Sequence, residues 1–277
     1  MTGTGSLAVL VPAALAGAVA IGVTMAIERW GGRAGGLIGT VPTTIVPAAA
    51  GILVGSAGAA DFRAAMAVAP AGMLLNAGFL YLWRVLPPHL PGRSVGARLA
   101  LMTGLSLAAW SLAAVATMHA TAALRETAVP LLLVGVALTL VLAGVGAAAC
   151  RNAPPAPRGT RHVGVLTLLA RGLLAAAAVG TAVWLADKGG AVAAGIVAVF
   201  PAIFLTTMVS LWLSQGEAVP VGAVGPMMLG STSVATYALL AAVLMPALGL
   251  GPGSALSWLI AATCVTVPAW LWLERHA

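Results

Sequence analysis

Residues 187–201 read DKGGAVAAGIVAVFP, and residues 28–42 read ERWGGRAGGLIGTVP. In register, Glu28 falls on Asp187, Arg29 on Lys188, Gly31 on Gly190, Gly36 on Gly195 and Pro42 on Pro201. Beyond them Ser56 and Gly58 match Ser214 and Gly216, and after a short contraction Pro70 matches Pro226. Tyr81 and Tyr237, the only tyrosines in the chain, follow those prolines at equal distance. Matched glycines mean little in a chain with 34 of them. An acid–base pair, two prolines and a unique residue type in one order point to an internal duplication.

The surroundings of these stretches set the class. Of 277 residues, 61% are hydrophobic and 7% charged, where soluble domains run near a quarter charged. With mean hydropathy +1.07, the solvent of this chain is a bilayer. A crossing helix needs roughly 20 apolar residues. Nine candidates run at about 6–28, 35–56, 66–86, 99–119, 128–149, 168–187, 191–213, 222–245 and 255–273. The expected fold is all-α: a polytopic bundle of about nine spans. Two inverted four-helix repeats, residues 1–120 and 163–277, would be joined by an extra span and a linker within 121–162.

The inversion follows from counting crossings. Loops after spans one, three, five and seven, with the C-terminus, carry Arg29, Arg33, Arg84, Arg93, Arg98, Arg151, Arg158, Arg161 and Arg275. The other side carries Arg63, Arg125 and Lys188. Cytoplasmic loops hold the Lys/Arg excess, so the N-terminus is expected outside and the C-terminus inside. The first repeat then starts outside and the second, after five crossings, inside. The net charge of +7 reads as topology rather than a nucleic-acid footprint. The N-terminus lacks the basic start of a cleavable signal peptide, so the first apolar run is expected to stay as a span.

The second repeat carries AAGIVAVFPAIFLTTMVSLWLSQG and GPMMLGSTSVATYALLAAVL. It resembles the GlpM-like small bacterial membrane proteins over residues 169–277. Ala194, Gly195, Phe200, Pro201, Gly216 and Tyr237 fall on that pattern, and Arg171 falls where the family has a basic residue near its N-terminus. The first repeat departs from it, with Val41 before Pro42 and an extra Pro47. The resemblance implies a four-span unit in a bacterial cytoplasmic membrane. It implies no activity.

Inverted repeats characterise many secondary transporters, whose substrate sites lie near the midplane at Gly/Pro-interrupted helices. Spans two and seven, interrupted at Pro42 and Pro201, fit that description. The candidate solute-binding residues are Pro42, Thr43, Thr44, Asn76 and Tyr81 in the first repeat. In the second they are Pro201, Thr206, Thr207, Ser231, Thr232 and Tyr237. Proline frees a backbone carbonyl, and nearby hydroxyls either re-satisfy it or bind a polar solute. The hydroxyl and amide groups of spans three and eight could equally bond helix to helix, and the tyrosines could anchor at the interface. The pairs Glu28–Arg29 and Asp187–Lys188 either gate opposite mouths of a pathway or end their helices at the headgroups. Arg171 is expected to snorkel to the cytoplasmic headgroups. Gly51-x-x-x-Gly55 reads as close helix packing.

Several chemistries are excluded as leading readings. The two cysteines and four histidines match no metal spacing. No Walker A, GxSxG, HExxH or CxxC occurs, so no enzyme, catalytic residue, metal or cofactor is expected. No carboxylate falls well inside a span, which disfavours an embedded proton relay. The leading expectation is a small-solute or ion transporter or permease. The alternative is an accessory or assembly subunit of a membrane complex. The expected partners are the lipid bilayer, a small polar solute or ion, and a second copy of the chain.

Overall fold

In a bilayer core no water satisfies the backbone, so a chain this apolar must close its hydrogen bonds within helices. The computed structural model describes residues 3–30, 41–91, 94–127, 129–151, 164–216 and 218–276. Among the described residues there are helices and no strands. They are α1 (Gly3–Trp30), α2 (Ile45–Gly55), α3 (Ala59–Val85), α4 (Val95–Arg125), α5 (Leu131–Arg151) and α6 (Val165–Asp187). There follow α7 (Ala191–Val197), α8 (Ala202–Gln215), α9 (Ala218–Leu248), α10 (Leu250–Ala261), a π-helical turn (Ala262–Thr266) and α11 (Val267–His276).

Among the described residues, seven stretches are long and apolar enough to cross a membrane: α3, α4, α5, α6, Ala191–Leu213, Val221–Leu248 and Leu250–Arg275. Val9–Gly22 and Ile45–Gly55 are shorter apolar helices. The chain is a polytopic membrane protein. Span two differs from its expected extent: within 35–56, only 45–55 is helix among the described residues, with Pro42 and Thr43 outside any helix. Span seven is broken where its proline predicts, because Pro201 offers no N–H to carry the ladder forward.

Two antiparallel pairs organise the bundle. In the first, α1 meets α6. A Cβ added at Gly180 would lie 3.3 Å from Ala13, one at Gly17 would lie 3.3 Å from Ala176, and one at Gly172 would lie 2.6 Å from Ile21. Rising numbers on α1 meet falling numbers on α6. In the second, α3 and α9 pack together, with α5 laid against both. Gly135 of α5 abuts Ala67 and Pro70 of α3 and Leu239 of α9. At the other end Ala149 accepts a 2.9 Å hydrogen bond from Arg84 and lies against Gly225. So α3 runs parallel to α5, and α9 runs against both. Helix α2 lies across the α1–α6 pair through Gly51 and Gly55, which approach Pro12 and Val183, so this motif is close packing.

Burial separates the helices into centre and rim. Of the 18-residue apolar stretch of each span, 72% is buried in α3 and 67% in α9, against 22% in both α4 and α5. Leu112, Leu133, Leu140, Leu166 and Leu173 are exposed on rim helices. In water such a surface would be an error; in hydrocarbon it is the expected lipid face.

Where α7 crosses α3 there is no room for a side chain, since a Cβ at Gly195 would overlap the Ala65 carbonyl oxygen. Gly195→Val should therefore lower the thermal unfolding temperature in detergent, by overpacking worth about 1–3 kcal/mol. Gly144→Ala, at a site with open space around it, should leave the temperature unchanged or raise it slightly.

Candidate functional site

The break between α7 and α8 is the least regular backbone near the core. Val199 N–H turns back to Ile196 and Phe200 N–H to Val197, and Ala202 N–H reaches only the Phe200 carbonyl, at 2.7 Å. The Val199 carbonyl is thereby left outside the helical ladder. Asn76 of α3 supplies the missing donor: its Nδ2 gives a 2.7 Å hydrogen bond to Val199 O. Gly72, one turn earlier on α3, leaves space that Val199 occupies.

Asn76 is itself held. Trp110 of α4 donates its indole N–H to Asn76 Oδ1 at 2.8 Å. The Trp110 ring meets Phe200 edge-on, with centroids 5.3 Å apart. Asn76 is 1% exposed and Trp110 7% exposed, so both bonds are sheltered from water. Two helices, α3 and α4, thus converge on one broken segment. Trp110 was not among the residues singled out from sequence. Its signal was position: an indole at the middle of a span, where aromatics do not serve as interface anchors, needs a partner for its N–H.

The second polar group lies on α6 and α8. Arg171 is 5% exposed rather than spread toward the headgroups, which corrects the expectation that it would snorkel. Its Nε donates to Thr206 Oγ1 at 3.0 Å and one terminal nitrogen donates to Thr207 Oγ1 at 2.8 Å. Thr206 passes its own proton to the Ala202 carbonyl at 2.8 Å. The tandem threonines after Pro201 therefore hold a buried guanidinium. Sequence flagged the threonines and the arginine separately. Their pairing depends on α8 folding back along α6.

The remaining candidates scatter. Ser231 returns its hydroxyl to the Met227 carbonyl at 2.9 Å. Thr232 is buried with its hydroxyl unpartnered, as is the Trp83 indole N–H. Tyr237 is fully buried and shares a 2.8 Å hydrogen bond with Ser254, whereas Tyr81 is 49% exposed. The two tyrosines match in sequence but not in surroundings, and Tyr81 does not join the group at the break. Pro42 is buried, and Thr44 precedes α2 without a side-chain cap. Asp187 and Lys188 form an exposed pair at 3.4 Å, at the end of α6. The side chains of Glu28 and Arg29 lie outside the described residues, as does most of the 150–162 linker. A further polar contact missed from sequence joins Ser233 to Thr266 of the π-helical turn, at 2.7 Å.

A cleft of about 450 Å³ opens between the end of α4 and the α6–α7 turn. Met118, Arg125, Gly190 and Ala193 are among its lining residues. It lies at the end of α7 away from the break, so the cleft and the two polar groups are separate features. Among the described residues no cluster of His, Cys, Asp or Glu could hold a metal ion. Comparison with protein-family models, with curated proteins and with solved structures found no match to this chain.

The Asn76 bridge gives a direct test. Trp110→Phe keeps the ring against Phe200 and removes only the indole donor, and should cost about 0.5–1.5 kcal/mol. Asn76→Ala should cost more, because it strands both the Val199 carbonyl and the indole N–H. Thermal unfolding of the single and double variants should show non-additivity, since the second change removes a bond already lost.

Proposed function

We propose that this chain is a transporter or permease for a small solute, built from two inverted four-helix repeats joined by α5. The observation that carries this reading is the broken span α7–α8, with its backbone met by Asn76 and Trp110 from two other helices. Non-helical backbone at membrane depth is tolerated only where protein buries it or a polar cavity adjoins it. Transporter sites are built at such discontinuous helices.

The repeat reading is supported by contacts. Sequence pairs residue n of α1 with n + 159 on α6, as Glu28 pairs with Asp187. That rule exchanges the Ile21–Gly172 contact with Ala13–Gly180 and carries Gly17–Ala176 onto itself. A two-fold axis through Gly17 and Ala176, lying in the membrane plane, has both properties. The antiparallel course of α3 and α9 has the same explanation. In this reading α5 is the crossing that inverts the second repeat, and the GlpM-like resemblance belongs to the second repeat alone.

The orientation implied by the loop charges places the Arg125 cleft outside and Arg171 on the cytoplasmic side of the break. A solute would enter by the cleft, pass Phe200 and Asn76 as the halves rock, and leave beside Arg171. The membrane would be a bacterial cytoplasmic one. Reporter fusions after Lys188 and at the C-terminus test the orientation: periplasmic activity is expected from the first and cytoplasmic activity from the second.

Transport is tested with the purified protein in proteoliposomes. A panel of radiolabelled small solutes should include at least one taken up faster than by empty vesicles. Asn76→Ala and Pro201→Ala should reduce that uptake about tenfold or more, as misplacement of a site by around an ångström does in enzymes. Uptake equal to empty vesicles across the panel, with the protein folded, would favour the accessory-subunit role.

A further inference from the structure

We propose that the cleft between α4 and the α6–α7 turn holds an anionic phospholipid, with its phosphate on Arg125 and the start of an acyl chain along Ala122 and Met118. The proposal does not rest on the transport reading. It needs only that this end of the bundle meets the headgroups of a bilayer.

Depth is the first ground. Trp184 is exposed near the end of α6, and the exposed Asp187–Lys188 pair follows about one turn later. An exposed tryptophan beside charged residues at the end of a span marks the headgroup level. Gly190, just beyond that pair, lines the cleft, and so does Arg125, the last residue of α4. The cleft therefore lies where phosphates lie, and not in the middle of the hydrocarbon.

The second ground is that Arg125 has no structural employment. An arginine in the last turn of a helix can bond the open carbonyls there. Here the carbonyls of Ala123 and Leu124 are taken by the backbone amides of Glu126 and Thr127 and by the Thr127 hydroxyl. Two other arginines near helix ends are committed to backbone: Arg84 donates to the Ala149 carbonyl, and Arg98 to those of Leu90 and Pro87. Arg125 has no hydrogen-bond or ion-pair partner among the described residues. Of the neighbouring charges, Asp187 is answered by Lys188 at 3.4 Å, and Glu126 does not line the cleft. A guanidinium in a cleft otherwise walled by apolar residues and glycine suits a phosphate, which its planar fork can grip with two hydrogen bonds.

The third ground is shape, and it favours a lipid over a soluble anion. Met118, Ala122 and Arg125 stand at i, i+4 and i+7, so they share one face of α4. Val115, one turn earlier on that face, is exposed. The wall of the cleft thus runs on into the lipid face of α4 instead of closing below the charge. Val192 adds an apolar side from α7. A volume of about 450 Å³ is that of a small-ligand site, enough for a headgroup and the top of a chain. The rest of the chain would follow α4 into the bilayer. A lipid held there would narrow the mouth that the transport reading gives to the solute.

The test uses the full chain in phosphatidylcholine nanodiscs with phosphatidylglycerol added in rising proportion, and follows thermal unfolding. A saturable rise in unfolding temperature is expected. Arg125→Gln should raise the half-saturating proportion about tenfold, the scale of one lost hydrogen bond to a charged group, and Arg125→Lys should recover part of it. Ala122→Phe, which fills the cleft and keeps the charge, should weaken the response as much as Arg125→Gln. Arg63→Gln removes another exposed arginine, in the first turns of α3 and outside the cleft, and should leave the response unchanged. All three positions are exposed, so unfolding in pure phosphatidylcholine should stay near that of the wild type. No response to phosphatidylglycerol in the wild type overturns the proposal. So does an unchanged response in Arg125→Gln or Ala122→Phe, or an equal loss in Arg63→Gln. Glycerol 3-phosphate, the headgroup chemistry without chains, should not stabilise the protein in phosphatidylcholine alone. A rise as large as that with phosphatidylglycerol, lost in Arg125→Gln, would give the cleft to a soluble anion and overturn the lipid assignment.

Discussion

The hydrogen bond from Asn76 to the Val199 carbonyl is the interaction on which the centre of this bundle turns. Inside a bilayer an unmet carbonyl costs several kcal/mol, because no water can take the place of the lost donor. Pro201 stops the helical ladder here, and the irregular turn around it leaves the Val199 carbonyl without a backbone donor. Once Asn76 is committed to it, the far side of the amide must be met as well, and Trp110 meets it. The indole in turn sits against Phe200, the residue beside the break. One break in a helix thereby ties α3, α4 and the α7–α8 segment into a single unit.

Small residues make that unit possible. Helices in lipid gain little from hiding apolar surface from each other, so close packing and polar contacts hold them. Gly72 and Gly195 bring α3 and the α7–α8 segment close enough for an amide to reach a backbone carbonyl. Gly17 and Gly172 do the same for α1 and α6, and bring opposed helices to near backbone contact. The lipid-facing helices α4, α5 and α6 have no such demand on their outer sides and carry leucine and valine there.

The buried arginine shows how far local reading reaches. Seven residues into α6, a long cationic side chain could have run back to the headgroups, which is the cheaper course for an isolated helix. It instead turns inward because α8 lies alongside α6 and presents Thr206 and Thr207 at matching height. No pattern within α6 encodes that neighbour. The two tyrosines make the same point in reverse. Equal spacing from matched prolines suggested equal roles, yet Tyr237 is enclosed by α10 and Tyr81 is half open to lipid. Before α5 the chain has a continuous α4, whereas after α9 it has α10, a π-helical turn and α11, so the two tyrosines face different partners.

Composition alone determined the solvent, and with it the all-helical class, since only helices can carry an apolar chain of this kind across a bilayer on their own hydrogen bonds. The prolines determined where span seven would break, because a proline removes its donor whatever surrounds it. Which groups would meet at the break was left to tertiary structure. Asn76 is 123 positions from Val199 in sequence, and Trp110 is 34 from Asn76. Hydrogen-bond donors and acceptors carry no address in the chain. They are paired by the packing of glycine-lined helices, which brings a distant amide to the carbonyl left unmet at the break.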